Sequence, residues 1–183
     1  MAGWIVLGVI VSAALWAVAI FNKLVKNRNL VLEGWSGIDV QLKRRYDLIP
    51  NLVETVKGYA GHEKEVLEKV VELRNSAAQA STAGEKAPIE NMLTQTLRQV
   101  FALAEAYPDL KANQNFLDLQ GQLSEIEEQI QFARRYYNGT ARDMNILVQS
   151  FPSNLIANSF GFHVADYFEI ELATERETPK VQF

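Results

Sequence analysis

The chain has 183 residues, enough for one compact domain with an appendage. Its 18 basic and 22 acidic residues give a formal net charge of −4, which argues against a nucleic-acid-binding protein that works by neutralising phosphates. The sequence has no cysteine, which excludes a disulfide scaffold, a thiol nucleophile and a thiolate metal site.

An apolar segment opens the chain. Between Ala2 and Phe21 there is no charged residue, and Ser12 supplies the only hydroxyl. A helix of this length spans about 30 Å, the hydrocarbon thickness of a bilayer. We therefore predict a single-pass transmembrane anchor at residues 1–21. A cleaved signal peptide is the alternative, since Ala17-Val18-Ala19 matches a small-x-small cleavage site, but no basic segment precedes the apolar run, which is also long.

Basic residues follow the anchor at once, namely Lys23, Lys26 and Arg28. Because Lys and Arg beside a membrane span stay on the cytoplasmic side, they predict an N-terminus outside the inner (cell) membrane and a body in the cytoplasm. The triplet Lys43-Arg44-Arg45 lies too far along the chain for this rule to explain it. Whether the triplet contacts lipid or protein stays open.

Helical periodicity governs the rest of the chain. Apolar residues at steps of three and four predict one long helix over about 22–79, which Pro50 kinks or briefly breaks near Ile49. A loop over 81–88 leads to a second helix, with Pro88 in its first turn, that ends at Tyr107-Pro108-Asp109. Asn113 caps a third helix, which stops at Phe151-Pro152.

These elements predict an all-α fold. An N-terminal transmembrane helix precedes an elongated antiparallel bundle of three long helices over 22–168 and a short C-terminal tail over 169–183. Spacing typical of a coiled coil serves an intramolecular bundle as well as contact between chains, so the oligomeric state stays open.

Catalytic and metal-binding patterns are missing from the sequence. His62-Glu63 resembles the start of a zinc-protease helix, but Val66 stands where the second histidine belongs. The other histidine, His163, lies among aromatic residues. We therefore predict no catalytic residue, no metal site, no cofactor and no enzymatic activity.

Polar residues interrupt the apolar positions of the first and third helices. They are Asp39, Arg44, Arg45, Asp47, Asn51, Arg134 and Arg135. Buried charges must be paired. Our hypothesis is that Arg44 or Arg45 joins Asp47 and Asn51, and that these meet Arg134 or Arg135 across the bundle at the kink. The alternative is that each of these side chains faces water.

Aromatic residues cluster near the C-terminus, at Phe160, Phe162, Tyr167 and Phe168. Apolar clusters beside a loop often mark interfaces, so this segment is a candidate surface for a partner. The alternative is that the segment folds back and closes the bundle.

Several blocks of sequence resemble the LemA family of bacterial membrane proteins. The blocks are Trp35 to Arg45, Asp47 to Val53, Lys57-Gly58-Tyr59, His62-Glu63, Tyr107 to Asn113, Phe151 to Asn154 and Phe160 to Phe162. Two positions depart from the family pattern: Tyr46 replaces a residue that is more often basic, and Met144 replaces a tyrosine, so a hydrogen bond from that tyrosine would be lost here.

The resemblance implies a single N-terminal anchor, a cytoplasmic antiparallel bundle and no established biochemical activity. It also implies links to membrane metalloproteases of the HtpX type and to organelle biogenesis in magnetosome-forming bacteria. We therefore predict a non-enzymatic scaffold or adaptor on the lipid bilayer, which assembles with its own copies or docks a membrane protein such as a protease. The alternatives are a ligand-sensing bundle and a regulatory adaptor of an HtpX-type protease.

Overall fold

The computed structural model describes residues 1–60 and 63–169, which form helices and connecting turns without a strand. The helices are α1 (Ala2–Lys57), α2 (Lys64–Gln79), α3 (Ala83–Ala104), α4 (Pro108–Lys111), α5 (Gln114–Gln149) and α6 (Ser153–Ser159). The predicted all-α fold with an apolar N-terminal helix is confirmed. The predicted tail, apart from Glu169, lies outside the described residues.

The first predicted helix is in fact two helices. α1 continues through Pro50, which lies on its exposed side, and ends at Lys57. The N–H groups of Tyr59 and Ala60 both donate to the carbonyl of Val56, at 3.0 and 2.9 Å, and this turn closes the helix beside Gly58. Of the predicted kink or brief break at Pro50, the break is therefore wrong, and the predicted helix divides after Lys57 instead. At an exposed position the missing N–H of proline costs one hydrogen bond without ending the helix.

The helix α3 begins five residues earlier than the predicted start at Pro88. Thr82 and Glu85 form a reciprocal capping box, in which each side chain accepts a hydrogen bond from the other residue's N–H at 3.3 Å. The N–H groups of Ser81 and Thr82 hold the pKa of the Glu85 carboxyl below its usual range. The predicted cap of the third helix is confirmed, since the N–H of Phe116 donates to Asn113 Oδ1 at 3.0 Å.

The chain divides into two compact units. The anchor unit consists of residues 1–37 and 133–167, and the α2–α3 unit consists of residues 38–60, 63–132 and 168–169 as far as the structure describes them.

Two antiparallel helix segments form the anchor unit. Leu24 of α1 is fully buried with Met144 and Val148 of α5, whereas Gly34 meets Tyr137. The unit's core also contains Ala157 and Phe162, and Ile20, Phe21, Val25, Val31, Leu147 and Ile156 pack around it.

The α2–α3 unit has a core of aliphatic side chains at helical spacing. Its buried members include Ile38, Leu42, Ile49, Leu52, Leu67, Val70, Leu93, Val100, Leu110, Phe116 and Ile130. The rings of Phe101 and Phe116 meet edge to face, with centroids 6.2 Å apart.

Candidate functional site

A buried arginine stands at the centre of the α2–α3 unit. The Arg45 side chain is only 2% exposed, and its Nη1 donates to Glu90 Oε2 at 3.0 Å and to Thr94 Oγ1 at 3.1 Å. Its Nη2 forms an ion pair with Glu127 Oε2. The Tyr46 hydroxyl donates to the other oxygen of Glu90. Three helices, α1, α3 and α5, thus meet on one guanidinium group.

Helical spacing brings these groups together. Glu90 and Thr94 are one turn apart on α3, and Gln131 Nε2 donates to Glu127 Oε1 one turn along α5, at 3.1 Å. A second pair lies beside the cluster, where Lys86 Nζ donates to Asp39 Oδ1 at 3.0 Å. The two buried cations, Arg45 and Lys86, thus each have a carboxylate partner, as burial of a charge requires.

Burial shifts two pKa values in the cluster. Desolvation lowers the pKa of Arg45, and the negative charge of Glu90 opposes this, so the guanidinium group stays protonated. Desolvation raises the pKa of Tyr46, and the charge of Glu90 raises it further. These contacts join residues of α1, α3 and α5, so the cluster favours one register of the three helices.

The predicted polar network has a different composition in the structure. Arg45 lies in the cluster described above and Asp39 pairs with Lys86. Arg44 is exposed and donates to Gln41, and Asp47 and Asn51 are also exposed. The structure does not bring Asp47 or Asn51 to Arg45.

The other two arginines of the predicted polar network, Arg134 and Arg135, belong to the anchor unit. Arg134 is buried there and Arg135 is exposed. Sequence reasoning missed Glu90, Thr94 and Glu127 as partners of Arg45, and Tyr46 as a partner of Glu90. One signal was present for α3: Lys86 and Glu90 share the helical register of Leu93, Leu97 and Val100, so both belong to its buried face.

Three aromatic rings cluster at the end of the apolar segment of α1 in the anchor unit. The ring of Phe21 meets those of Phe160 and Phe162 edge to face, with centroids 4.9 and 5.8 Å apart. The Arg28 guanidinium lies over the Phe162 ring, 5.3 Å from its centroid. Gly161 has φ +68°, a left-handed conformation that favours glycine and turns the chain back so that Phe162 enters the core.

Two side chains of α5 hydrogen-bond to the backbone of the segment that follows this turn. Asn145 Nδ2 donates to the carbonyl of Ala165 at 2.9 Å, and the N–H of Ala165 donates to Asn145 Oδ1 at 2.7 Å. The Tyr137 hydroxyl donates to the carbonyl of Asp166 at 2.8 Å, and burial raises the pKa of this tyrosine.

The predicted aromatic surface is therefore divided. Phe162 is buried in the anchor unit and Phe168 in the α2–α3 unit, as the folding-back alternative expects. Phe160 and Tyr167 remain exposed. Lys23, Lys26 and Arg28 are exposed on α1, beyond the apolar segment.

Metal-binding and ligand-binding features are sparse in residues 1–60 and 63–169. Within these ranges no three His, Asp or Glu side chains come together as a metal site would require. His163 is exposed, and His62 lies outside the described residues. An open groove of about 520 Å³ runs along α2 and α3, lined by Glu65, Val66, Glu68, Lys69, Glu72, Thr96 and Gln99.

The family model described as the LemA family matches residues 34–183. The chain belongs to the LemA family. It is 25% identical to Protein LemA of Metamycoplasma hominis, over 81% of this chain and 68% of that protein. It is 24% identical to Magnetosome protein MamQ 2 of Paramagnetospirillum magneticum and 21% identical to Magnetosome protein MamQ of Magnetospirillum gryphiswaldense. The MamQ alignments cover 73% of this chain but only 59% and 58% of those proteins.

Family membership and the fold together give a membrane-associated helical protein. Among the described residues, α1 alone is long and apolar enough to cross a bilayer. Its apolar N-terminal side chains, such as Trp4, Ile5 and Leu15, are exposed in the chain itself, as a lipid-facing surface would be. Neither LemA nor MamQ is the name of an enzyme.

Proposed function

We propose that this LemA-family protein is a non-enzymatic scaffold or adaptor, which holds a helical body at a membrane for self-assembly or for docking a membrane protein. One observation carries the proposal. In the anchor unit α1 passes from its apolar segment into a packed core without a linker, since Leu24 is fully buried only three residues after Phe21. An anchor that served merely as a tether would tolerate a flexible linker at this point.

The relatives support this class of function. Two of these relatives are named as magnetosome proteins, and their names state no reaction. In this chain, the hydrogen bonds of the Arg45 cluster are satisfied internally and fix helix register, as a rigid docking body requires. Lys23, Lys26 and Arg28 support an orientation with the N-terminus outside the inner membrane and the body in the cytoplasm.

A ligand-sensing bundle is the second candidate, favoured by the groove along α2 and α3. Three glutamates and one lysine are among its lining residues, so a ligand there would be cationic. A sensor would gain thermal stability when such a ligand binds, and it would remain monomeric. A regulatory adaptor of an HtpX-type protease differs from the scaffold only in its partner.

Photocrosslinking in cells tests the scaffold directly. A benzophenone amino acid replaces Met92 on α3 or Leu117 on α5, both exposed apolar residues of the α2–α3 unit. We expect discrete adducts, either with a second copy of the chain or with one membrane protein, and a protease among these would identify the adaptor role. Replacement of exposed Lys64 is the matched control for random collision. The absence of discrete adducts from Met92 and Leu117 would contradict the proposal.

A further inference from the structure

A second uncharged segment lies in the anchor unit. Asp143 and Asp166 bracket it, and the chain between them contains no Asp, Glu, Lys or Arg. It comprises the end of α5, the whole of α6 and the turn at Gly161. Large apolar side chains of this segment remain exposed in the fold, with Phe151 79%, Leu155 57% and Phe160 61% exposed. Such a concentration of exposed apolar side chains in one segment marks an interaction surface.

This segment lies against the end of the apolar run of α1. Phe160 meets Phe21 with ring centroids 4.9 Å apart. Ile20 and Ile156 pack against the same buried cluster as Leu24. The exposed side chains of this segment therefore lie beside the end of the apolar run of α1.

Helix geometry sets the depth of α6. If the apolar run ends at Phe21 at the hydrocarbon boundary, Leu24 lies about 4.5 Å beyond it at 1.5 Å per residue. The polar layer of a bilayer is about 5–8 Å thick on each side. Ala157 of α6 belongs to the same buried cluster as Leu24, so with this boundary α6 would lie at the level of the lipid headgroups.

We propose that Phe151, Leu155 and Phe160 insert into the lipid interface as a second membrane contact beside the anchor. Exposed uncharged polar side chains such as Asn158 and Ser159 suit the headgroup layer, and no carboxylate between Asp143 and Asp166 repels an anionic surface. Exposed Lys23 and Lys26 at the same level favour anionic headgroups. The two contacts together fix the tilt of the anchor unit on the bilayer. The proposal depends on membrane anchoring but not on the scaffold role.

Lipid-attached quenchers test this contact in the full-length protein. The natural chain has no cysteine, so one cysteine at a time can carry an environment-sensitive fluorophore. Leu155→Cys is the test position, and Leu32→Cys is a matched control, because the two leucines are 57% and 59% exposed. Leu32 lies about 16 Å beyond Phe21 along α1, outside the headgroup layer. Leu15→Cys in the apolar run reports on anchoring itself.

The labelled proteins are reconstituted into phosphatidylcholine–phosphatidylglycerol vesicles that carry a spin label at a shallow acyl position. We expect the probes at Leu155 and Leu15 to be quenched several-fold more strongly than the probe at Leu32. Quenching at Leu15 alone would overturn the second contact and leave the anchor intact. A blue-shifted but unquenched probe at Leu155 would assign the surface to protein and also overturn it. A probe at Leu15 that escapes quenching would overturn the anchor and the contact together.

Discussion

Arg45 is a buried cation of the α2–α3 unit that pairs with two carboxylates, Glu90 and Glu127. Its guanidinium group is out of water and has partners on two other helices, Glu90 and Thr94 on α3 and Glu127 on α5. Its planar fork of donors suits several acceptors at once, which a lysine could not match. Loss of this residue would remove the ion-pair partner of the buried Glu90 and of the partly exposed Glu127.

The first prediction compares Arg45 with its neighbour. We expect Arg45→Ala to lower the free energy of unfolding by about 3–5 kcal/mol, because the buried Glu90 carboxylate then loses its ion pair with Arg45. Arg44→Ala is the matched control, since Arg44 is exposed and its loss should cost no more than about 0.5 kcal/mol. Thermal unfolding in detergent, followed by circular dichroism, measures both. Equal melting temperatures for the two variants would contradict the central role of Arg45.

The second prediction concerns the alkaline range and Tyr46. Its pKa is raised in the folded state, so above about pH 10 the unfolded tyrosine loses its proton while the folded one keeps it. Stability is therefore complete below that pH and falls as the pH rises. We expect Tyr46→Phe to be less stable at neutral pH, since Glu90 loses a donor, but to lose less stability above pH 10.

Tyr136→Phe is the control for this measurement, because Tyr136 is exposed. Melting temperatures at neutral and alkaline pH are compared for the natural chain and both variants. Burial raises the pKa of Tyr137 as well, so some alkaline loss persists in Tyr46→Phe. An unchanged alkaline loss in Tyr46→Phe would disprove the assignment to Tyr46.

At the scale of elements, two glycines of α1, Gly34 and Gly37, differ in how closely another helix approaches them. A Cβ added at Gly34 would lie 3.1 Å from Tyr137 Cα on α5, whereas one added at Gly37 would meet nothing within 4 Å. Both residues lie in the anchor unit, and in a helix both cost about 0.5–1 kcal/mol relative to alanine. The contact with α5 thus explains Gly34, and nothing in the structure explains Gly37.

The third prediction follows from this difference. We expect Gly34→Ala to destabilise the protein by about 1–3 kcal/mol, since the backbone of α5 cannot move away without disturbing its packing. Gly37→Ala should instead stabilise it by about 0.5–1 kcal/mol through helix propensity. Thermal unfolding of the two variants checks the pair. A stabilised Gly34→Ala would show that the helices can separate freely.

Elements were predictable from the sequence where one local pattern decides them. The uncharged run to Phe21, the cap at Asn113 and the stop before Pro152 depend on residues that are close in sequence. The break after Lys57 and the early start of α3 depend on a competition between neighbouring signals. At Pro50 the helix continues because the proline lies on its exposed side. The capping box of Thr82 and Glu85 starts α3 before Pro88, which then lies inside the helix.

At the scale of the whole molecule, the partners of Arg45 could not be predicted from α1 alone. Which carboxylate reaches a buried arginine depends on which faces of α3 and α5 turn inward, and periodicity gives the face of one helix at a time. The aromatic segment shows the same limit. Its sequence fits a partner surface as well as a fold-back, and only the core around Leu24 decides that Phe162 is buried.

The fourth prediction addresses the role that the whole molecule serves. The proposed scaffold role depends on α1, which passes from its apolar segment into the core of the anchor unit without a linker. If assembly needs the membrane, deletion of residues 1–21 should reduce it, because the anchor confines the chains to two dimensions and raises their effective concentration.

The mass of the full-length protein in native-lipid nanodiscs tests the scaffold role most directly. Mass photometry of nanodiscs taken from cells without a crosslinker is compared with that of residues 22–183 in solution. We predict a discrete assembly, of several copies or of the chain with one membrane partner, that is absent without the anchor. A single chain without a partner at every concentration would contradict the scaffold role.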